Sequence, residues 1–248
     1  DRDLCDHFLI PEKLYGRDRE TATLLGAFER VAATSQGRSE MMLIAGSSGM
    51  GKTALVNEIH TPITRQQSEF ITGKFDQFNQ NLPLFAFIQA LKALVTRLLS
   101  QTQDLPNWRQ KIIDVIGDHG QILIEVIPDL EIIIGPQPPA PELSGTAAQS
   151  RFNLLFQKFI SVFAQPQQPL VIFLDDLQWA DSASLQLIQQ LMESSGPIFL
   201  ICAYRDNEVS AAHPFIISVE NLQKEGVTIN SLTLKPLVAN ETNQLLAD

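Results

Sequence analysis

Residues 41–59 read MMLIAGSSGMGKTALVNEI, and their order decides the fold. Residues 41–45 form a short continuous apolar run, the pattern of a strand buried on both faces. Gly46 to Gly51 interrupts it, and an amphipathic run resumes at Thr53 as a helix. Between strand and helix, Gly46-Ser47-Ser48-Gly49-Met50-Gly51-Lys52-Thr53 fits G-x-x-x-x-G-K-[ST]. The glycines let backbone N–H groups of Ser48, Gly49, Met50, Gly51, Lys52, Thr53 and Ala54 turn around phosphate, and the helix N-terminus adds partial positive charge. Lys52 is placed to reach β- and γ-phosphates, and the Thr53 hydroxyl is placed for Mg²⁺.

The same alternation extends along the chain. Apolar positions Leu24, Leu25, Phe28, Val31 and Ala32 predict a helix ending near Gly37, and residues 69–75 predict a second strand. A helix is expected over 84–100, then two short helices within 107–130 and a loop from Gly135, where prolines crowd the chain. Beyond it come a helix at 146–164, a strand at 170–174, a helix at 182–192, a strand at 198–203, a helix at 214–224, a strand at 227–234 and the start of a helix at 240–247. Strands that are continuously apolar and alternate with helices imply an α/β fold, with a parallel sheet covered on both faces.

A phosphate-bound metal needs a carboxylate facing it. The run VIFLDDLQWAD, residues 171–181, supplies one at a strand end. Asp175 is the candidate metal-side ligand with Thr53. Asp176 stands where ATPases of this layout often carry Glu to orient water, and a helix N-terminal charge would look the same. Trp179 reads as packing and Asp181 as an N-cap. The next strand ends at Arg205, on the edge where parallel sheets bind ligands. It either senses γ-phosphate or pairs with Asp206 or Glu208 at the surface. His7, His60, His119 and His213 form no ligand pattern, and Cys5 and Cys202 match no metal or redox spacing.

Composition limits the partners. The chain has 248 residues, 44% hydrophobic and 19% charged, with net charge −10 and no basic stripe. That argues against nucleic acid, including a nucleic-acid loader, since phosphate backbones are met by clustered Lys and Arg. The absence of an N-K-x-D segment gives GTP no support. The apolar runs are too short to span a bilayer, so no membrane contact is expected, and two cysteines far apart in sequence make a reduced cytoplasmic setting the expectation. A start without methionine suggests a piece of a longer protein.

LYGRDRE at 14–20, the P-loop, DDLQWAD and AYRDNE at 203–208 together resemble the STAND class of AAA-like P-loop ATPases, over residues 12–248. GKFDQ at 73–77, PPAPE at 138–142 and SRFN at 150–153 look closer still to the ATPase module of large bacterial hybrid signalling kinases, which join Ser/Thr kinase, GAF and histidine-kinase domains. The resemblance implies sheet order 5-1-4-3-2, ATP or ADP with Mg²⁺, and a switch between nucleotide states that relays signals to neighbouring domains, often through homo-oligomers. The leading expectation for this chain is such an ATP-dependent switch with slow hydrolysis. It also implies that Tyr15, Gly16 and Arg17 meet adenine, that Arg205 senses γ-phosphate, and that Pro236 stacks near the base. The domains it suggests are a linker at 1–18, a core at 19–236 with a helical insertion at about 84–145, and the start of a lid at 237–248. The alternative is a nucleotide-binding interaction module that hydrolyses nothing.

Overall fold

The computed structural model describes residues 14–33, 38–79, 82–101, 103–140, 145–193 and 196–237. Five strands form one parallel sheet: β1 (Glu40–Ala45), β2 (Phe70–Lys74), β3 (Leu170–Asp175), β4 (Ile198–Tyr204) and β5 (Thr228–Thr233), ordered β2-β3-β4-β1-β5. This is the expected 5-1-4-3-2 order read from the other edge.

Side chains alternate across each strand, and the two faces go to separate cores. Met42 and Ile44 of β1, Val171 and Phe173 of β3 and Phe199, Ile201 and Ala203 of β4 pack on α1 (Asp18–Ala33) and α2 (Lys52–Arg65). Met41, Leu43, Ile172, Leu174, Leu200 and Cys202 face the opposite layer. That layer contains α3 (Phe85–Ser100), α4 (Leu105–Ile116), α5 (Gly120–Val126), α6 (Leu130–Ile134), α7 (Gly145–Ser161), α8 (Ser182–Glu193) and α9 (Pro214–Lys224). The result is three layers. Full burial of β3 explains why its six residues LVIFLD carry no alternation. Each large side chain buried this way contributes about 1.5–3 kcal/mol.

The structure departs from the sequence reading at the margins. The helix α7 closes at Ser161, and residues 162–164 form turns closed by backbone bonds to Phe159, Ile160 and Ser161, while the expected end of α1 near Gly37 lies outside the described residues. A third short helix, α6, follows the two expected before the proline-rich loop. The edge strand β5 is largely exposed, so burial on both faces holds for the central strands and not for this one. The helix expected at 240–247, Cys5 and His7 lie outside the described residues.

Gly73 sets the distance between α3 and the edge of the sheet. A Cβ there would lie 2.2 Å from the Ala86 carbonyl oxygen, a backbone atom that no rotamer change can move. Gly73→Ala is therefore expected to cost about 3 kcal/mol, the upper range for overpacking. Urea unfolding would read this as a lower midpoint at unchanged slope. An unshifted midpoint would mean that α3 is not seated on β2 as described.

Candidate functional site

Because all strands run parallel, their C-terminal ends share one edge, and the chemistry-bearing residues gather there. The turn after β1 has Gly49 at φ 80° and Gly51 at φ 84°, left-handed conformations that a side chain would strain. Gly51 opens α2, and the Leu55 N–H returns to its carbonyl at 2.9 Å. Lys52, 7% exposed, donates from Nζ to the Gly46 carbonyl at 2.6 Å and to that of Ser47 at 3.0 Å. Burial pushes its pKa down; the Asp175 and Asp176 charges oppose this and Arg205 adds to it.

The register β2–β3 pairs Lys74 with Asp175, so both leave the sheet at the same level. Asp175 uses both carboxylate oxygens. Thr53 Oγ1 donates to Oδ2 at 2.8 Å, and the Asp176 N–H donates to Oδ1 at 2.9 Å. The hydroxyl and carboxylate expected beside a metal are thus in contact. Magnesium typically takes one or two protein oxygens and completes its shell with water and phosphate, which suits this donor pair. Among the described residues there is no group of three or more His, Cys, Asp and Glu able to hold a metal by itself.

Asp176 sits at φ 56°, ψ 46°, a left-handed conformation costing a non-glycine residue about 1 kcal/mol. This turn swings its carboxylate away from the sheet axis and between two cations. Lys74 Nζ lies 3.3 Å from Oδ2 and Arg205 Nε 3.3 Å from Oδ1, while Gln178 Nε2 donates to Oδ1 at 2.8 Å. Burial pushes the Asp176 pKa up, but the Gln178 hydrogen bond and the Lys74 and Arg205 charges outweigh it and hold the carboxyl below the usual range. Arg205 also donates from Nη1 to Glu208 at 2.7 Å. It therefore pairs at the surface, as one reading allowed, and lines the cleft, as the other required.

Residues 48–54, Lys74, Asp175, Asp176 and Arg205 line one cleft of about 290 Å³. Tyr15, Gly16, Arg17 and Pro236 are not among its lining residues. Tyr15 is buried, Gly16 has φ 64°, and Arg17 donates to the Met50 carbonyl at 3.4 Å and the Lys235 carbonyl at 2.5 Å while pairing with Glu20 at 3.2 Å. Through these bonds Arg17 joins the P-loop at Met50 to Lys235, the residue before exposed Pro236. Asp181 accepts from the Ser184 N–H at 2.9 Å and the Ser184 hydroxyl at 2.6 Å, an N-cap on α8. His213 accepts at Nδ1 from the Phe215 N–H, also a cap.

The sequence reading assigned no role to Lys74 or Gln178. Lys74 was detectable as a cation closing a strand, and Gln178 as the polar residue in an otherwise apolar Leu177-Gln178-Trp179 turn, but only the β2–β3 register brings Lys74 to Asp176, and only the left-handed turn at Asp176 folds Gln178 back onto it.

Residues 13–201 match the family described as AAA ATPase domain. A hybrid signal transduction histidine kinase G of Dictyostelium discoideum is 38% identical over 194 residues, 78% of this chain and 6% of that protein. Histidine protein kinase 1 of Candida albicans is 24% identical over 64% of this chain and 7% of that protein. The chain thus spans under a tenth of these relatives. Among solved structures, Cdc6p from Pyrobaculum aerophilum superposes with a TM-score of 0.53 at 12% identity, covering 97% of this chain and 51% of that one, a likeness of fold. Among the described residues no helix is long and apolar enough to cross a membrane.

Proposed function

Because the chain belongs to the AAA ATPase domain family, we propose that it is the ATP-binding, slowly hydrolysing switch module of a multidomain signal-transduction protein. The observation that carries this reading is the convergence on one cleft of the P-loop, the Thr53–Asp175 pair, Asp176 and Arg205. The P-loop N–H groups and Lys52 bind the phosphates, and Thr53 with Asp175 holds Mg²⁺, which offsets phosphate charge when bound. Asp176 orients the attacking water, and Arg205 meets the γ-phosphate and so distinguishes ATP from ADP. Tyr15, Gly16, Arg17 and Pro236 form the adenine side, as in the STAND class that the sequence resembles. The nucleotide state is relayed to neighbouring signalling domains of a longer cytoplasmic chain, with assembly into homo-oligomers as one route and nucleic acid playing no part. The likeness to two histidine kinases supports the signalling setting. The core spans 19–236, the insertion about 84–145, and the segments 1–18 and 237–248 are linker and lid.

A second reading, a module that binds ADP or ATP without turnover, is favoured by one observation. Asp176 is held by two cations and Gln178, which makes it a weak base. Phosphate release with Mg²⁺ separates the two. The switch reading expects turnover below about 1 s⁻¹, the low end for enzymes, abolished by chelating Mg²⁺. Tight binding with no phosphate release would select the second reading, and no binding at all would sink both.

A further inference from the structure

We infer that Gln178 is a positioning residue: its side-chain amide ties the Asp176 carboxylate to the Arg205 backbone and so fixes the two groups that face the γ-phosphate. The inference rests on the proposed ATP reading for its consequence, but the tie itself is a feature of the fold.

The last ladder pair between β3 and β4 is Leu174 with Cys202. Beyond it the strands part, because β3 turns at Asp176 into the left-handed region while β4 runs on to Tyr204. Gln178, in the 3₁₀ turn Leu177–Trp179 and 6% exposed, closes this gap. Its Nε2 donates to Asp176 Oδ1 at 2.8 Å, and its Oε1 accepts from the Arg205 N–H at 3.1 Å. The amide has one orientation that serves both, since a carboxylate only accepts and a backbone N–H only donates. The side chain therefore continues the sheet by one cross-link past the point where the backbone can.

That cross-link bears on turnover more than on binding. Asp176 at φ 56° is held in a strained turn, and without the Gln178 amide its carboxylate is free to collapse onto Lys74 and Arg205 alone. A reacting geometry misplaced by about 1 Å costs on the order of a hundredfold in rate, whereas the P-loop contacts that bind phosphate stay untouched.

Two substitutions in the intact 248-residue chain divide the amide into its halves. Gln178→Glu keeps the acceptor for Arg205 and removes the donor to Asp176; Gln178→Ala removes both. Amide hydrogen exchange at Arg205, read by NMR, is expected to stay slow in the parent and in Gln178→Glu and to quicken about fivefold or more in Gln178→Ala. Neighbouring β4 amides should not change. Both variants are expected to lower kcat for Mg–ATP about tenfold or more, with KM within about threefold of the parent. Unchanged Arg205 exchange in Gln178→Ala would overturn the tie, and parent-like kcat in Gln178→Glu would overturn its role in placing Asp176. A parent chain that binds Mg–ATP without turnover would sink the hydrolytic reading alone, and the exchange comparison would then decide the inference by itself.

Discussion

Lys52→Ala is expected to weaken ATP binding by about a hundredfold or more and to leave no measurable phosphate release. Lys52 is the cation nearest the loop that cradles phosphate, and its Nζ rests on the carbonyls of Gly46 and Ser47, at the mouth of the turn. The charge-assisted hydrogen bonds it offers to phosphate are worth roughly twice neutral ones. At about 1.4 kcal/mol per factor of ten, two such bonds account for the expected loss. The variant should fold. Burial already disfavours the ammonium, as its lowered pKa records, so removing it relieves one cost while losing two bonds to loop carbonyls, one buried and one part-buried. Titration with a fluorescent ATP analogue, beside a thermal unfolding curve, checks both halves. Parent-like affinity in a folded variant would place the phosphates elsewhere.

How much of this was legible in the sequence differs by layer. The central strands β1, β3 and β4 stand out because burial on both faces demands uninterrupted apolar runs, and the P-loop stands out because its glycines have few other uses. Asp175 followed from the P-loop, since a phosphate-bound metal needs an opposing carboxylate. Strand order did not follow from periodicity at all; it came from family resemblance, because apolar runs do not encode which strand lies beside which. The short helix Leu130–Ile134 was hidden for a related reason. One turn of Leu-Glu-Ile-Ile-Ile is too brief to show a helical period, and its Ile-rich run favours strand by local preference until Leu130, Ile133 and Ile134 find burial against the neighbouring helices.

The environment of Asp176 was the least legible part. Its two cations come from residues 102 positions before it and 29 after it, and register alone brings them within 3.3 Å. From sequence, Asp176 was a short substitute for Glu or a helix N-terminal charge. In the fold it is neither free nor superficial, being the shared anion of Lys74 and Arg205 and the acceptor of Gln178. On the proposed hydrolytic reading, slow turnover would then have a second cause besides the methylene that Asp lacks relative to Glu: a carboxylate already neutralised by its neighbours draws weakly on a water proton.

This sharpens what Asp176→Asn should do, which is to lower kcat about a hundredfold while leaving ATP affinity within a few-fold of the parent. Asparagine matches aspartate in size and tolerates the left-handed conformation at least as well, so the turn at φ 56° should persist. Its amide oxygen can still accept from Gln178 Nε2, and Asp175 keeps its bonds to Thr53 and to the residue 176 N–H. What disappears is the negative charge, and with it the ability to orient and polarise a water. Removing it also releases Lys74 and Arg205 from their anion, which leaves more positive charge facing phosphate and argues against any large loss of affinity. The comparison is a single-turnover hydrolysis rate beside a binding isotherm, with unfolding as the control. Hydrolysis at the parent rate would remove Asp176 from the chemistry and leave it as a counter-ion that spaces two cations. Loss of binding instead would mean that this carboxylate holds the metal, a role the Thr53–Asp175 contact argues for its neighbour.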